Sequence, residues 1–222
     1  MRRAAALPAT RVCSRSVCCW GRSSRLSPGS ASAPYLRAAS CQESPPAAQA
    51  AKPDAFTFDK THTQIFFSVS HLGFSFSTGS FTRFDGGFTF SEQKPEQSSV
   101  NVTIDAASLS LHDEKWEEHV KSADFLDVAT HPKIIFKSTK VEKTGDNTGR
   151  VTGDLTLLGV TKPVTLEVIF NKAAVHPYTK QYVAGFSGKT SINRSDFGMD
   201  YGLPGIGDEV NITLEVEGIR TE

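Results

Sequence analysis

The side chains of this protein best suited to polar chemistry are histidines, and their spacing is loose. The chain has six His. A metal or haem module would draw on His62, His71, His112 and His119, of which only the last two share a local segment. An enzyme would need a nucleophile with its base, paired carboxylates in a cleft, or a metal centre. All four cysteines (Cys13, Cys18, Cys19, Cys41) precede Phe56, so the body beyond it has no thiolate nucleophile, no cysteine metal site and no disulfide. The neighbours Cys18 and Cys19 lack the spacing of zinc clusters. No G-x-S-x-G elbow, H-E-x-x-H pair or G-x-x-x-x-G-K-[ST] loop occurs. Gly202, Gly205 and Gly207 in "GLPGIGDE" precede a strand pattern rather than a helix, which makes them a loop or bulge. The reading is a protein that is not an enzyme and has no cofactor. A His-based metal or haem module and a protein-interaction β-module with a filled core stand as alternatives.

The elements that must position these residues are strands. From Phe56 onward the apolar period is two. "TQIFFSVSH" places Ile65, Phe67, Val69 and His71 on one face, and "SSVNVTIDAASL" alternates Val100, Val102 and Ile104. "GSFTRFDGGFTF" reads as two short strands about an Asp-Gly-Gly turn. "KIIFKSTKVEKTGDNTGRVTGDLTLLG" reads as a hairpin around Gly145-Asp146-Asn147. In "GVTKPVTLEVIF", Val164, Leu166, Val168 and Phe170 point one way, with Thr161-Lys162-Pro163 as a hairpin. "YVAGFSGKTSIN" and "DEVNITLEVEGI" follow, the latter with Val210, Ile212, Leu214 and Val216 inward. "LHDEKWEEHVKSADF" alone has helical spacing, with acids at its start and Lys121 near its end. About eight antiparallel strands and one or two short helices must close on themselves as a sandwich or a barrel. An eight-stranded barrel is either just filled or holds one small ligand.

Charge and composition separate the body from what precedes it. The 222 residues contain 24 basic and 24 acidic side chains. Through Lys52 stand seven Arg and one Lys against Glu43 alone, leaving 16 basic and 23 acidic residues beyond and a body charge of −7. An acidic body does not bind a phosphate backbone, so nucleic acid is not an expected partner. Residues 1–40 are rich in Arg, Ser and Ala, the composition of an organellar transit peptide. The expected compartment is the mitochondrion, then the plastid. A secretory or periplasmic route is kept open by Ala48-Gln49-Ala50 and Ala38-Ala39-Ser40-Cys41. Residues 41–54 read as a disordered linker, and 55–222 as the barrel. Asn101, Asn193 and Asn211 head glycosylation sequons that matter only on a secretory route.

Four blocks of the body resemble the YceI-like family of polyisoprenoid-binding proteins. They are "FDKTHTQIFFSVSHLGFSFSTGSF", "VTIDAASL" with "HVKSADFLDVATHPKIIFKSTKV", "VTGDLTLLGVTKPVTLEV", and "SINRSDFGMDYGLPGIGDEVNITLEVEGI". The resemblance runs from about Phe56 to Ile219. It implies an all-β, lipocalin-like, eight-stranded antiparallel barrel with an elongated cavity for a long-chain isoprenoid, such as a polyprenyl phosphate or quinone.

On that resemblance, the tunnel lining is expected from Phe67, Val69, Phe74, Phe76, Phe81, Phe88, Ile104, Trp116, Phe136, Leu155, Leu166, Val168, Phe170 and Phe186. All fifteen Phe of the chain lie at or beyond Phe56, and aromatic rings offer large rigid apolar area at low rotamer cost. Head-group partners are expected among His71, His119, Lys115 and Arg194, with Lys162 and Asn193 as further candidates. Arg194 with Asp196 also reads as a structural pair. Transient membrane contact is expected. The oligomeric state is left open, a dimer included.

Overall fold

A computed structural model describes residues 52–221. The expected targeting peptide, the four cysteines and nearly all of the expected linker lie outside the described residues. The strands are β1 (Asp54–Phe58), β2 (Gln64–His71), β3 (Ser75–Phe81), β4 (Phe84–Phe90), β5 (Ser99–Asp105) and β6 (Leu109–Ser110). After helix α1 (Glu114–Lys121) come β7 (Lys133–Lys143), β8 (Thr148–Leu157), β9 (Val160–Val175), β10 (Tyr182–Asn193) and β11 (Ile206–Arg220). Short 3-10 turns supply the rest of the helical content.

All pairings are antiparallel, and eight strands form a closed circuit in the order β1, β4, β5, β7, β8, β9, β10, β11. The circuit closes where β1 meets the end of β11, with Phe56 opposite Arg220 and Phe58 opposite Gly218. The choice between sandwich and barrel is thus resolved as a barrel. Closure removes the exposed edges that eight short strands would otherwise present. Below β1, the same edge of β11 pairs with β2, from Glu215 opposite Gln64 to Ile206 opposite His71. Strands β3 and β6 continue outward from β2.

Two turns expected from the sequence pattern lie inside strands. Asp85-Gly86-Gly87 is not a turn but the middle of β4, and β3 leads into β4 through Thr82-Arg83 without reversing, the two strands pairing with different neighbours. Gly86 has φ +128, and a Cβ there would stand 2.2 Å from the Asn101 carbonyl oxygen. At Gly87 the clash would be with the Phe56 oxygen at 2.3 Å. These glycines therefore let β1 and β5 close in on β4. Thr161-Lys162-Pro163 lies inside β9, and the hairpin is Leu158-Gly159, at φ +52 and +74. Two successive positive φ values are what a tight hairpin turn requires. Pro163 is tolerated because β10 pairs with β9 only from Glu167 onward, leaving the proline's other edge without a ladder partner.

The interior is packed unevenly. Phe84, Ile104, Leu109, Phe125, Leu126, Ile134, Leu157, Phe197 and Met199 are buried against one another near the base of α1. The inward residues of β9 to β11, among them Leu166, Val168, Phe186, Ile212 and Val216, are only half-buried. Among the described residues no large side chain is completely buried. A solid core of this size would contain several, so the inward faces enclose space.

Candidate functional site: an apolar cavity through the barrel

That space is a single cavity of about 720 Å³. Its β11 lining runs from Ile206 to Val216. At about 3.3 Å per residue the ten steps cover roughly 33 Å of strand. A barrel tilt of 35–45° makes that roughly 25 Å along the axis. The alternation of β9 supplies Val164, Leu166, Val168 and Phe170, and β10 supplies Phe186, Gly188, Thr190 and Ile192. Small ligands commonly occupy pockets of about 300–1,000 Å³.

The two ends differ. Toward the β7–β8 hairpin, four phenylalanines form a collar. Phe90 lies 5.0 Å from Phe186 and 5.1 Å from Phe170, and Phe88 lies 5.5 Å from Phe186, measured between ring centroids. Beyond the collar the lining turns polar, with Glu92, Glu142, Lys143, Asp146, Asn147 and Thr148. At the opposite end His71, Trp116, His119 and Val120 line the opening.

Helix α1 sets that opening. Asp113 caps it by accepting from the Trp116 amide at 3.0 Å. The Glu117 carboxylate accepts from the Leu111 amide at 2.8 Å and from Ser110 Oγ at 3.2 Å, tying the helix to β6. The Leu111 amide is the largest reason that the Glu117 carboxyl stays below its ordinary range. The His71 ring lies 5.8 Å from that of Trp116. His119 packs edge-on to Phe125 and Tyr201 at 5.2 and 5.3 Å, and its Nε2 stands 3.1 Å from Asp124 Oδ2.

Most of the expected lining faces the cavity: Phe67, Val69, Phe81, Phe88, Ile104, Trp116, Phe136, Leu155, Leu166, Val168, Phe170 and Phe186. Phe74 and Phe76 do not. Phe74 sits in the β2–β3 turn and is 89% exposed. Phe76 pairs with Ser70 on the outward face, whereas the inward positions of β3 are Ser77, Gly79 and Phe81. Position 79 is a glycine where a Cβ would stand 2.5 Å from the Phe67 ring. Further lining residues, beyond those expected, are Phe58, Phe84, Phe90, Val151 and the inward row Val210 to Val216. Strand alternation already pointed β11 inward.

Of the head-group candidates, His71 and His119 meet at one opening. Lys115 is exposed on the outer side of α1 and does not line the cavity, and Lys162 and Asn193 lie outside it too. Lys162 Nζ donates to Asp196 Oδ1 at 3.1 Å, so Asp196 pairs with Lys162 rather than with Arg194. Arg194 borders the cavity, but its guanidinium is buried at 2% exposure. It donates to the carbonyl oxygens of Gly207, Met199 and Ile206 at 2.8, 2.8 and 3.0 Å. Burial lowers its pKa from the usual guanidinium range.

The four histidines of the metal or haem alternative do not converge. His62 stands in the turn before β2 and His71 at the strand's end. His62 instead joins Asp59 and Glu217 in a group whose ligand atoms lie within 4.8 Å of one another, the only such group among the described residues.

The fold and the site define a class: a closed antiparallel β-barrel, hollow, with an apolar interior open toward one short helix. The chain belongs to the family of the YceI-like domain, whose profile matches residues 56–218. It is 42% identical over 159 residues to a UPF0312 protein of Azotobacter vinelandii, covering 72% of this chain and 82% of that one. The crystal structure of BcnA from Burkholderia cenocepacia is similar at a TM-score of 0.66 and 27% identity, over 72% of this chain and 98% of the other. A polyisoprenoid binding domain from Saccharophagus degradans shares the fold at a TM-score of 0.60 and 14% identity, over 76% of this chain and 99% of that one. These relatives are bacterial, which overturns the expected mitochondrial or plastid compartment.

Proposed function

We propose that this protein binds a long-chain isoprenoid lipid, of the polyprenyl phosphate or quinone type, and stores or carries it without transforming it. The observation that carries this reading is the hollow, about 720 Å³ of elongated apolar space walled by the inward residues of β9, β10 and β11. An isoprenoid tail is a run of apolar units with almost nothing to hydrogen-bond, and each methylene taken from water is worth about 0.8 kcal/mol. Measured against a bilayer the gain is far smaller, and ordering the tail costs part of it. The balance suits a carrier that exchanges its cargo rather than one that locks it. The phenylalanine collar offers rigid apolar contact, and His71 and His119 offer polar partners for a phosphate or quinone oxygen at the α1 opening. The polyisoprenoid binding domain of Saccharophagus degradans, alike in fold, supports the same ligand class.

The test is mass spectrometry of organic extracts from protein purified without detergent. A prenyl lipid near one per chain is the expected result. An extract without one, from protein that also fails to take up added prenyl lipid, overturns the reading.

A further inference from the structure

We infer that the α1 end of the barrel docks on an uncharged lipid bilayer through an exposed apolar rim that adjoins the cavity opening; the inference rests on the lipid-carrier reading and names the surface through which the cargo passes. The rim consists of Leu72, Phe74, Phe76, Tyr201 and Leu203, with Trp116 beside them. Phe74 and Phe76 are 89% and 65% exposed, and the others are exposed as well.

Contacts on three segments bring these side chains together. The Leu72 amide donates to the Gly205 carbonyl at 2.7 Å, joining the β2–β3 turn to the loop that carries Tyr201 and Leu203. His71 pairs with Ile206 across the same junction. The His71–Trp116 and His119–Tyr201 contacts then attach both segments to α1. The rim therefore continues outward from residues that line the cavity.

Two further features set this rim apart from scattered surface hydrophobics. Leu72 has φ +52, a left-handed conformation that its Cβ disfavours, and the bond to Gly205 holds it there with the side chain exposed. The other end of the same cavity is bordered by Glu92, Glu142, Lys143, Asp146 and Asn147. The cavity thus has one end beside an apolar rim and one polar end. A cargo that is insoluble in water enters through the former without crossing the aqueous phase.

Charge selects the kind of bilayer. Helix α1 carries Glu114, Glu117 and Glu118 against Lys115 and Lys121, with Asp113 before it, and Asp200 adjoins Tyr201. Acids outnumber bases around the rim, so an anionic surface is repelled, and attachment comes from apolar and aromatic insertion at the interface.

The experiment uses the full chain with Trp20→Phe, which leaves Trp116 as the one tryptophan, and vesicles of phosphatidylcholine alone. Uncharged vesicles also remove any attraction of the Arg-rich leader for anionic lipid. The expected result is flotation with the vesicles and a blue shift of Trp116 emission. Phe74→Ser with Phe76→Ser should lower the bound fraction by roughly tenfold or more, while Ile169→Ser, on the outer wall of β9, leaves it unchanged. Docking is overturned if the parent protein does not float, or if the double variant floats equally well. It is also overturned if sedimentation reveals a dimer that the double variant dissociates, because a second copy then covers the face. Extracted prenyl lipid reads the cargo separately. Protein that floats yet holds none keeps the docking and loses the carrier reading; protein that holds lipid but does not float does the reverse.

Discussion

Arg194 Nε donates to the Gly207 carbonyl at 2.8 Å, fastening the end of β10 to the start of β11. The other two bonds of the guanidinium reach Met199 and Ile206, so one side chain gathers the whole 199–207 loop. Hydrogen bonds to charged groups contribute about 1.5–3 kcal/mol each, and removing the donor also strands buried carbonyls. Arg194→Met should therefore cost roughly 3–5 kcal/mol of a total stability that for such domains is about 5–15 kcal/mol. Arg194→Lys should recover little, because an ammonium cannot serve three carbonyls arranged for a planar fork. Urea denaturation with a constant slope measures the loss. A shift below about 1 kcal/mol would remove Arg194 as the latch of this loop and return it to the head-group candidates.

Leu166 faces Val151 across the β8–β9 ladder, and both line the cavity. In a filled core a Leu→Trp change overpacks and costs about 1–3 kcal/mol or more. Here the indole enters existing space, so Leu166→Trp should keep the melting temperature within a few degrees of the parent. It should also reduce retained prenyl lipid by at least about tenfold, since the tail loses its path. Calorimetry and extract mass spectrometry on the same sample read both quantities. A folded variant that retains lipid like the parent shows that the tail does not run past Leu166.

The part of this site that strand alternation made legible is its wall. Val164, Leu166, Val168 and Phe170 share parity, and a one-residue slip would turn all four to solvent, so their inward placement follows from the sequence. Phe74 and Phe76 violate the same rule, since Phe76 and Phe81 are five apart in one strand and cannot both face inward. The outward pair was a parity signal that could have been read. Other features depend on distant chain segments and left no local mark. Gly86 and Gly87 resemble a turn until Asn101 and Phe56 are known to press against them. Arg194 carries no sign that its acceptors would be three carbonyls brought round by the 199–207 loop. Strand β1 is too short to stand out, yet it closes the circuit. The hollow is legible only through the half-exposure of residues that point inward, which no pattern of residue types encodes.

Asp59 and His62 form a contact that responds to pH, with Oδ2 and Nδ1 2.8 Å apart. The hydrogen bond from His62 is the main reason that the Asp59 carboxyl lies below its ordinary 3.8, and the same bond raises the imidazole above its ordinary 6.5. A raised imidazole stabilises the fold fully below about pH 6.5, and that contribution is lost as pH rises through the folded value. A depressed carboxyl stabilises above about pH 3.8, and its contribution is lost as pH falls through the folded value. In the folded protein both groups are charged between the lowered Asp59 value and the raised His62 value. His62→Gln keeps a polar side chain without titrating in this range. The melting-temperature gap between parent and variant should then be widest near pH 5 to 6 and close toward pH 8 to 9, and it should be small because the pair is solvent-exposed. Scanning calorimetry across that range decides it: a gap that stays constant, or widens with alkalinity, means that the Asp59–His62 contact contributes nothing as an ion pair.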